Sequence, residues 1–220
     1  MIVRIGKTFA ISLTIVIMSL SASKTAKSEE LQVAYKTFYS HVKKLDSQET
    51  NALQFAFGFM NIRTKSLCQI NSARISTEKQ QIPIEITPEY RFTLPSERAL
   101  RLADAVVILD LTEPSNICDI SVQLETKPEH VKSSYTSQEL DLLYDQFATF
   151  FDDIGGFMSF MMPEVDGLTI QFKDKNLTAA LSNGMQIKDG KLILSSNELP
   201  ILNNVILPSV PLRITAKTSR

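Results

Sequence analysis

The chain has 220 residues, of which 44% are hydrophobic, with 23 Lys and Arg against 24 Asp and Glu, 7 glycines and no tryptophan. A formal net charge of −1 gives no electrostatic footprint for nucleic acid, and the scarcity of glycine excludes the phosphate-cradling loops of kinases, Rossmann enzymes and P-loop enzymes. The length suits one well-buried domain, or two small ones sharing an interface, and no long Pro/Gly/Ser linker marks a boundary.

At the N-terminus, Arg4 and Lys7 precede an uncharged apolar run over residues 8–20, followed by small residues. This is the pattern of a secretory signal peptide, and the run is shorter than the roughly eighteen to twenty residues a membrane-spanning helix needs. Ser21 and Ser23 place cleavage after Ser23, with Ser28, after Ala26, as the second position. No cysteine lies near either site to carry a lipid, so the expected mature chain is periplasmic or secreted, without a stable membrane anchor. Removing residues 1–23 takes away two basic residues and no acidic ones, leaving 21 − 24 = −3.

Leu31, Tyr35, Phe38, Val42 and Leu45 recur at 4-3-4-3 spacing and predict an amphipathic helix of about fifteen residues. Residues 53–60 alternate the aromatics Phe55, Phe57 and Phe59 as a strand does. Cys68 and Cys118 each open a similar alternating segment, and residues 81–87, 90–94 and 105–111 give further strands, with a short helical turn at 96–102. Pro83, Pro88, Pro95 and Pro114 imply edges or turns there. The continuously apolar run 106–109 fits a strand buried on both faces.

Thr136 and Glu139 form a capping-box pair ahead of Leu140, Leu143, Tyr144, Phe147, Phe151 and Ile154, which predicts an amphipathic helix ended by Gly155 and Gly156. Beyond Pro163 the period returns to two at Leu168, Ile170 and Phe172. Asn183-Gly184 and Asp189-Gly190 read as type I′ hairpin turns around a short strand at 185–188. Residues 205–216, interrupted by Pro208 and Pro211, read as one last irregular strand closing a β-meander. The expected fold is α+β: a strand-rich, disulfide-linked antiparallel region with an N-terminal helix, a later amphipathic helix and a C-terminal meander. Residues 29–220 then form a single domain, with 127–136 as the place where a subdivision would fall.

Two cysteines in an oxidising compartment pair most simply as a structural disulfide. The alternative is a redox pair, although redox dithiols are usually adjacent as C-x-x-C. Phe147, Phe150, Phe151, Phe157, Met158, Phe160, Met161 and Met162 crowd large apolar side chains into sixteen residues. They form either core where helix meets sheet or, at Phe157, Met158, Phe160, Met161 and Met162, an apolar contact surface. Asp141, Asp145, Asp152, Asp153, Glu164 and Asp166 surround them. Asp152 and Asp153 oppose the helix dipole, but without an Asp-rich loop the acids read as a solvated face, and neither metal nor cofactor is expected. His41 and His130 lack zinc-ligand spacing, and no G-x-S-x-G or S-x-x-K motif appears.

The parts follow a recognisable order. His41-Val42-Lys43-Lys44-Leu45 ends the first helix, Leu67-Cys68-Gln69-Ile70 leads to Thr77-Glu78-Lys79, and the strand at 106–111 precedes Ile117-Cys118. A late segment then runs from Phe157-to-Met162 into Pro163 and Gly167-Leu168. In this order the chain resembles an uncharacterised periplasmic family of marine gammaproteobacteria, defined only as a domain of unknown function, over nearly the whole mature chain. The resemblance supplies no activity, substrate or site residues. The expected function is a non-enzymatic binding or envelope-accessory protein, whose partner is an apolar ligand or another envelope protein. The alternatives are a hydrolase of an envelope component, with His130 and a nearby acid as acid/base pair, and a structural subunit of an envelope assembly.

Overall fold

The computed structural model describes residues 29–155, 164–182 and 184–219. The predicted signal peptide and Phe157, Met158, Phe160, Met161 and Met162 lie outside them.

The chain enters as a strand, β1 (Glu29–Ala34), and only then forms α1 (Tyr35–Val42) and a 3₁₀ turn at Lys43–Leu45. The predicted helix therefore begins four residues late. Leu31 and Val33 alternate with Glu30 and Gln32, a period-two pattern, and antiparallel pairing with β5 (Val106–Leu111) satisfies the main chain of both strands. The helical stripe survives in Tyr35, Phe38 and Val42, all buried.

β5 lies between β1 and β3 (Ile70–Ser76), and β4 (Gln81–Ile84) closes the sheet in the order β1-β5-β3-β4. Its central place explains the continuous apolar run: Val107, Leu109 and Leu111 are fully buried on one face and Ile108 nearly so on the other. β2 (Leu53–Asn61) pairs along its whole length with β6 (Cys118–Thr126). Its three phenylalanines point into the core, where Phe57 packs edge-on against Phe38 and tilted against Phe92. The predicted strand at 90–94 reduces to a single bridge between Phe92 and Phe57. α2 (Arg98–Leu102) is the short helical turn expected before β5.

β7 (Ser134–Thr136) leads into α3 (Ser137–Gly155). The capping box is formed: Glu139 N–H donates to the Thr136 hydroxyl at 3.2 Å, and Thr136 N–H donates to the Glu139 carboxylate at 2.9 Å. Leu140, Leu143, Phe147 and Phe150 are buried, whereas Ile154 is exposed. β8 (Val165–Gln171) is followed by the small hairpin of β9 (Ala179–Ala180) and β10 (Gln186–Ile187), and then by β11 (Lys191–Ser195). Asp189 and Gly190 both have positive φ, as the predicted type I′ turn requires.

The final predicted strand is two strands. β12 (Asn204–Ile206) pairs with β7, and β13 (Arg213–Thr218) pairs with β8, giving the order β11-β8-β13. Pro208 and Pro211 fall between them, where no ladder donor is required. The resulting fold is α+β and strand-rich, with a continuous buried cluster from Tyr35 to Ile214.

Candidate functional site

Cys68 and Cys118 form a disulfide, with Cα atoms 6.3 Å apart. Cys68 N–H donates to the Phe59 carbonyl, and Cys118 pairs with Asn61, so the bond fastens the end of β2. Glu113 lies beside both sulfurs, and its carboxylate accepts a hydrogen bond from Gln69 N–H. An adjacent carboxylate opposes thiolate formation, so this environment is the reverse of the electropositive one that activates redox cysteines.

The remaining sequence candidates are scattered. Phe147 and Phe150 belong to the core, while Asp152 and Asp153 are solvent-exposed. Among the described residues the acids around α3 do not converge on a common point. Burial, then the neighbouring Asp141, pushes the Asp145 carboxyl up. His41 packs edge-on against Phe55 and Phe57, and burial, followed by Lys44, lowers its pKa. His130 ends a 3₁₀ turn, and its carbonyl accepts from the Tyr135 hydroxyl. Among the described residues no hydrogen bond joins either imidazole to a carboxylate that would orient it.

Two clefts flank the start of β2 and share Gln54. The smaller, about 220 Å³, is lined by Gln54, Glu125 and Thr126 together with Pro128, Val131 and Pro211. Its polar groups are largely spent on one another. Gln54 donates to Glu125, and Arg213 donates to Glu125 at 3.0 Å and to Gln123 at 3.1 Å. Arg91 beside them donates to the Ala56 carbonyl. Burial raises the Glu125 pKa, and Arg213 opposes the shift.

The larger cleft, about 320 Å³, opens along the other edge of β2, between Leu53-Gln54-Phe55 and the segment Thr93-Leu94-Pro95-Ser96. On that edge Phe57 exchanges main-chain hydrogen bonds with Phe92, Phe59 accepts from Cys68, and Asn61 donates to Ser66. Alternate residues of a strand present their main-chain groups to the same side. Leu53 and Phe55 therefore also face away from β6, and there they find no hydrogen-bond partner among the described residues.

The reason is local. Antiparallel continuation from the Phe57–Phe92 bridge would set Leu94 opposite Phe55 and Ser96 opposite Leu53. Instead the Tyr35 hydroxyl donates to the Pro95 carbonyl and accepts from Glu97 N–H, and the Ser96 hydroxyl donates to Asp46. These bonds draw residues 93–97 off β2 and leave a wedge. Val42 and Leu45 supply its apolar wall, and Lys127 and Asp46 its charges. Asp46 is occupied by Ser96, whereas no acidic side chain among the described residues pairs with Lys127. Sequence reasoning missed this wedge. Its determinants are contacts between residues about fifty to sixty positions apart, which no local pattern displays.

Among families, the one described as Protein of unknown function (DUF2987) matches residues 27–172. The match stops at Phe172, short of the nearly complete coverage expected from the resemblance. No curated protein and no solved structure matches the chain.

Proposed function

The chain belongs to the DUF2987 family of unknown function, and from that premise we propose that it is an exported, non-enzymatic binding or envelope-accessory protein whose binding site is the wedge beside β2. The observation that carries this reading is the wedge itself. It has an apolar wall and a small number of fixed polar groups, and its volume of about 320 Å³ falls within the range of ligand pockets. All of its lining residues lie within residues 27–172, whereas the smaller cleft borrows Pro211 and Leu212 from outside that stretch.

Export is supported by Arg4 and Lys7 ahead of the apolar run at 8–20 and by the small residues Ser21 and Ser23. The Cys68–Cys118 bond agrees with an oxidising compartment such as the periplasm. Among the described residues no helix is long and apolar enough to cross a membrane. The partner class of this proposal is an apolar ligand or another envelope protein.

The test compares the native and denatured mass of wild-type protein and Thr93→Trp, each purified from the native periplasm. Thr93 is exposed at the mouth, so an indole there fills the wedge without disturbing the core. The expected result is a mass excess on the wild type that denaturation removes and Thr93→Trp lacks. A bare wild-type chain, or an excess that Thr93→Trp retains, refutes the assignment. Retention of the chain in the cytoplasmic fraction with residues 1–23 attached refutes export.

A further inference from the structure

The wedge holds two opposite charges that do not meet. Asp46 is tied to one wall, the segment at residues 93–96, where its carboxylate accepts a hydrogen bond from the Ser96 hydroxyl at 2.8 Å. That bond leaves the carboxylate its negative charge. Lys127 is tied to the other wall, its main-chain N–H donating to the Ala52 carbonyl beside Leu53 at the start of β2. Among the described residues no ion pair joins Lys127 to Asp46, Lys127 to any other acid, or Asp46 to any other cation. Asp46 is exposed and Lys127 half-buried, so both are open to an incoming molecule. The same cleft offers apolar surface from Leu45, which is half-buried, and Pro95, which is exposed.

An occupant that covers both groups strips water from each, and a charge stripped of water without a partner of opposite sign is costly. A plain apolar molecule would leave two such charges, and a simple anion or cation would leave one. Glu97, beside Ser96, and Lys43 and Lys44, ahead of Leu45, do not line the wedge, whose own balance is one charge against one. The geometry therefore points to a zwitterion with an apolar body: an apolar α-amino acid, or a short apolar peptide with both termini free, its ammonium group on Asp46, its carboxylate on Lys127 and its side chain against Leu45 and Pro95. The assignment rests on the binding reading above and specifies the ligand of the same site. The main chain of β2 takes no part in it, since Leu53 and Phe55 are almost wholly buried. A volume of about 320 Å³ lies at the lower end of the range for small-molecule sites.

The experiment is titration calorimetry of the mature protein with L-leucine and with leucyl-leucine, each also in N-acetylated and C-amidated form. At least one of the two free zwitterions is expected to bind, and which one does distinguishes the single amino acid from the peptide. Acetylation removes the ammonium charge and amidation the carboxylate, so each weakens binding about tenfold or more. Asp46→Asn keeps an acceptor for the Ser96 hydroxyl and should abolish only the difference between free and acetylated ligand. Lys127→Met keeps the alkyl stem and should abolish only the difference between free and amidated ligand. Neither substitution moves the thermal midpoint. Blocked ligands that bind as well as free ones, or penalties that survive the matching substitution, overturn the zwitterion. So does the absence of binding by both probes. If the native wild type then still carries a mass excess that Thr93→Trp lacks, the wedge binds and only the chemistry of its ligand is misread. If the wild type is bare, the binding reading itself fails.

Discussion

Opening the Cys68–Cys118 bond perturbs stability by an amount that follows from its place in the chain. The two cysteines are 50 residues apart, and closing a loop of that length in the unfolded chain is worth about 4 kcal/mol on the chain-entropy account. That is a large share of the roughly 5–15 kcal/mol by which a domain is stable. Reduction of the wild type isolates this contribution, because both sulfurs remain in the core. The double substitution Cys68→Ala with Cys118→Ala adds the packing lost at two buried positions, roughly 1 kcal/mol each. Urea unfolding of oxidised, reduced and double-Ala protein separates the two effects. The thermal midpoint should fall by about 8–16 °C on reduction, and amides at the end of β2 should lose exchange protection first, since Cys68 and Cys118 flank Phe59 and Asn61. A reduced protein within about 1 kcal/mol of the oxidised form would refute the loop-entropy reasoning.

Arg213→Met leaves the Glu125 carboxylate buried without its cation and should destabilise by about 3–5 kcal/mol in chemical denaturation. Adding Glu125→Gln should recover most of that loss, and failure to recover would show that the two residues do not act as a pair. Because burial raises the folded pKa of Glu125 above its unfolded value, its contribution is fully present below the ordinary carboxylate range and is lost as pH rises through the raised value. The stability difference between wild type and Glu125→Gln should therefore shift against the wild type with rising pH, and a flat difference contradicts the assignment. Thr136→Ala removes the hydroxyl that caps α3 and should cost about 1 kcal/mol, read as a shift in urea midpoint at unchanged slope. Gly167 has φ +144, and a Cβ there would lie 2.0 Å from the Leu194 carbonyl oxygen, so Gly167→Ala should lower stability by about 3 kcal/mol or more. An alanine variant with the wild-type thermal midpoint would contradict that close approach.

Local chemistry made several features legible from the sequence by itself. The Thr136/Glu139 capping box, the alternation of Phe55, Phe57 and Phe59, the doubly apolar run at 106–109 and the Asp189-Gly190 turn each depend on residues close in sequence, and each is found as read. The cysteine pair was legible because only two candidates existed. Other features were settled only by partners distant in the chain. Glu30 to Val33 satisfies a helical stripe as well as an alternating strand, and β5, more than seventy residues away, selects the strand by offering its open edge. Residues 205–216 split because β7 and β8 each recruit a different half. The wedge belongs wholly to this second kind. Its floor is the stretch of β2 at Leu53 and Phe55 that finds no main-chain partner among the described residues, where the hydroxyl of Tyr35 holds Pro95 and Glu97, some sixty residues on. Main-chain groups left without partners are invisible in a sequence, since every residue carries them and only the assembled sheet decides which are satisfied.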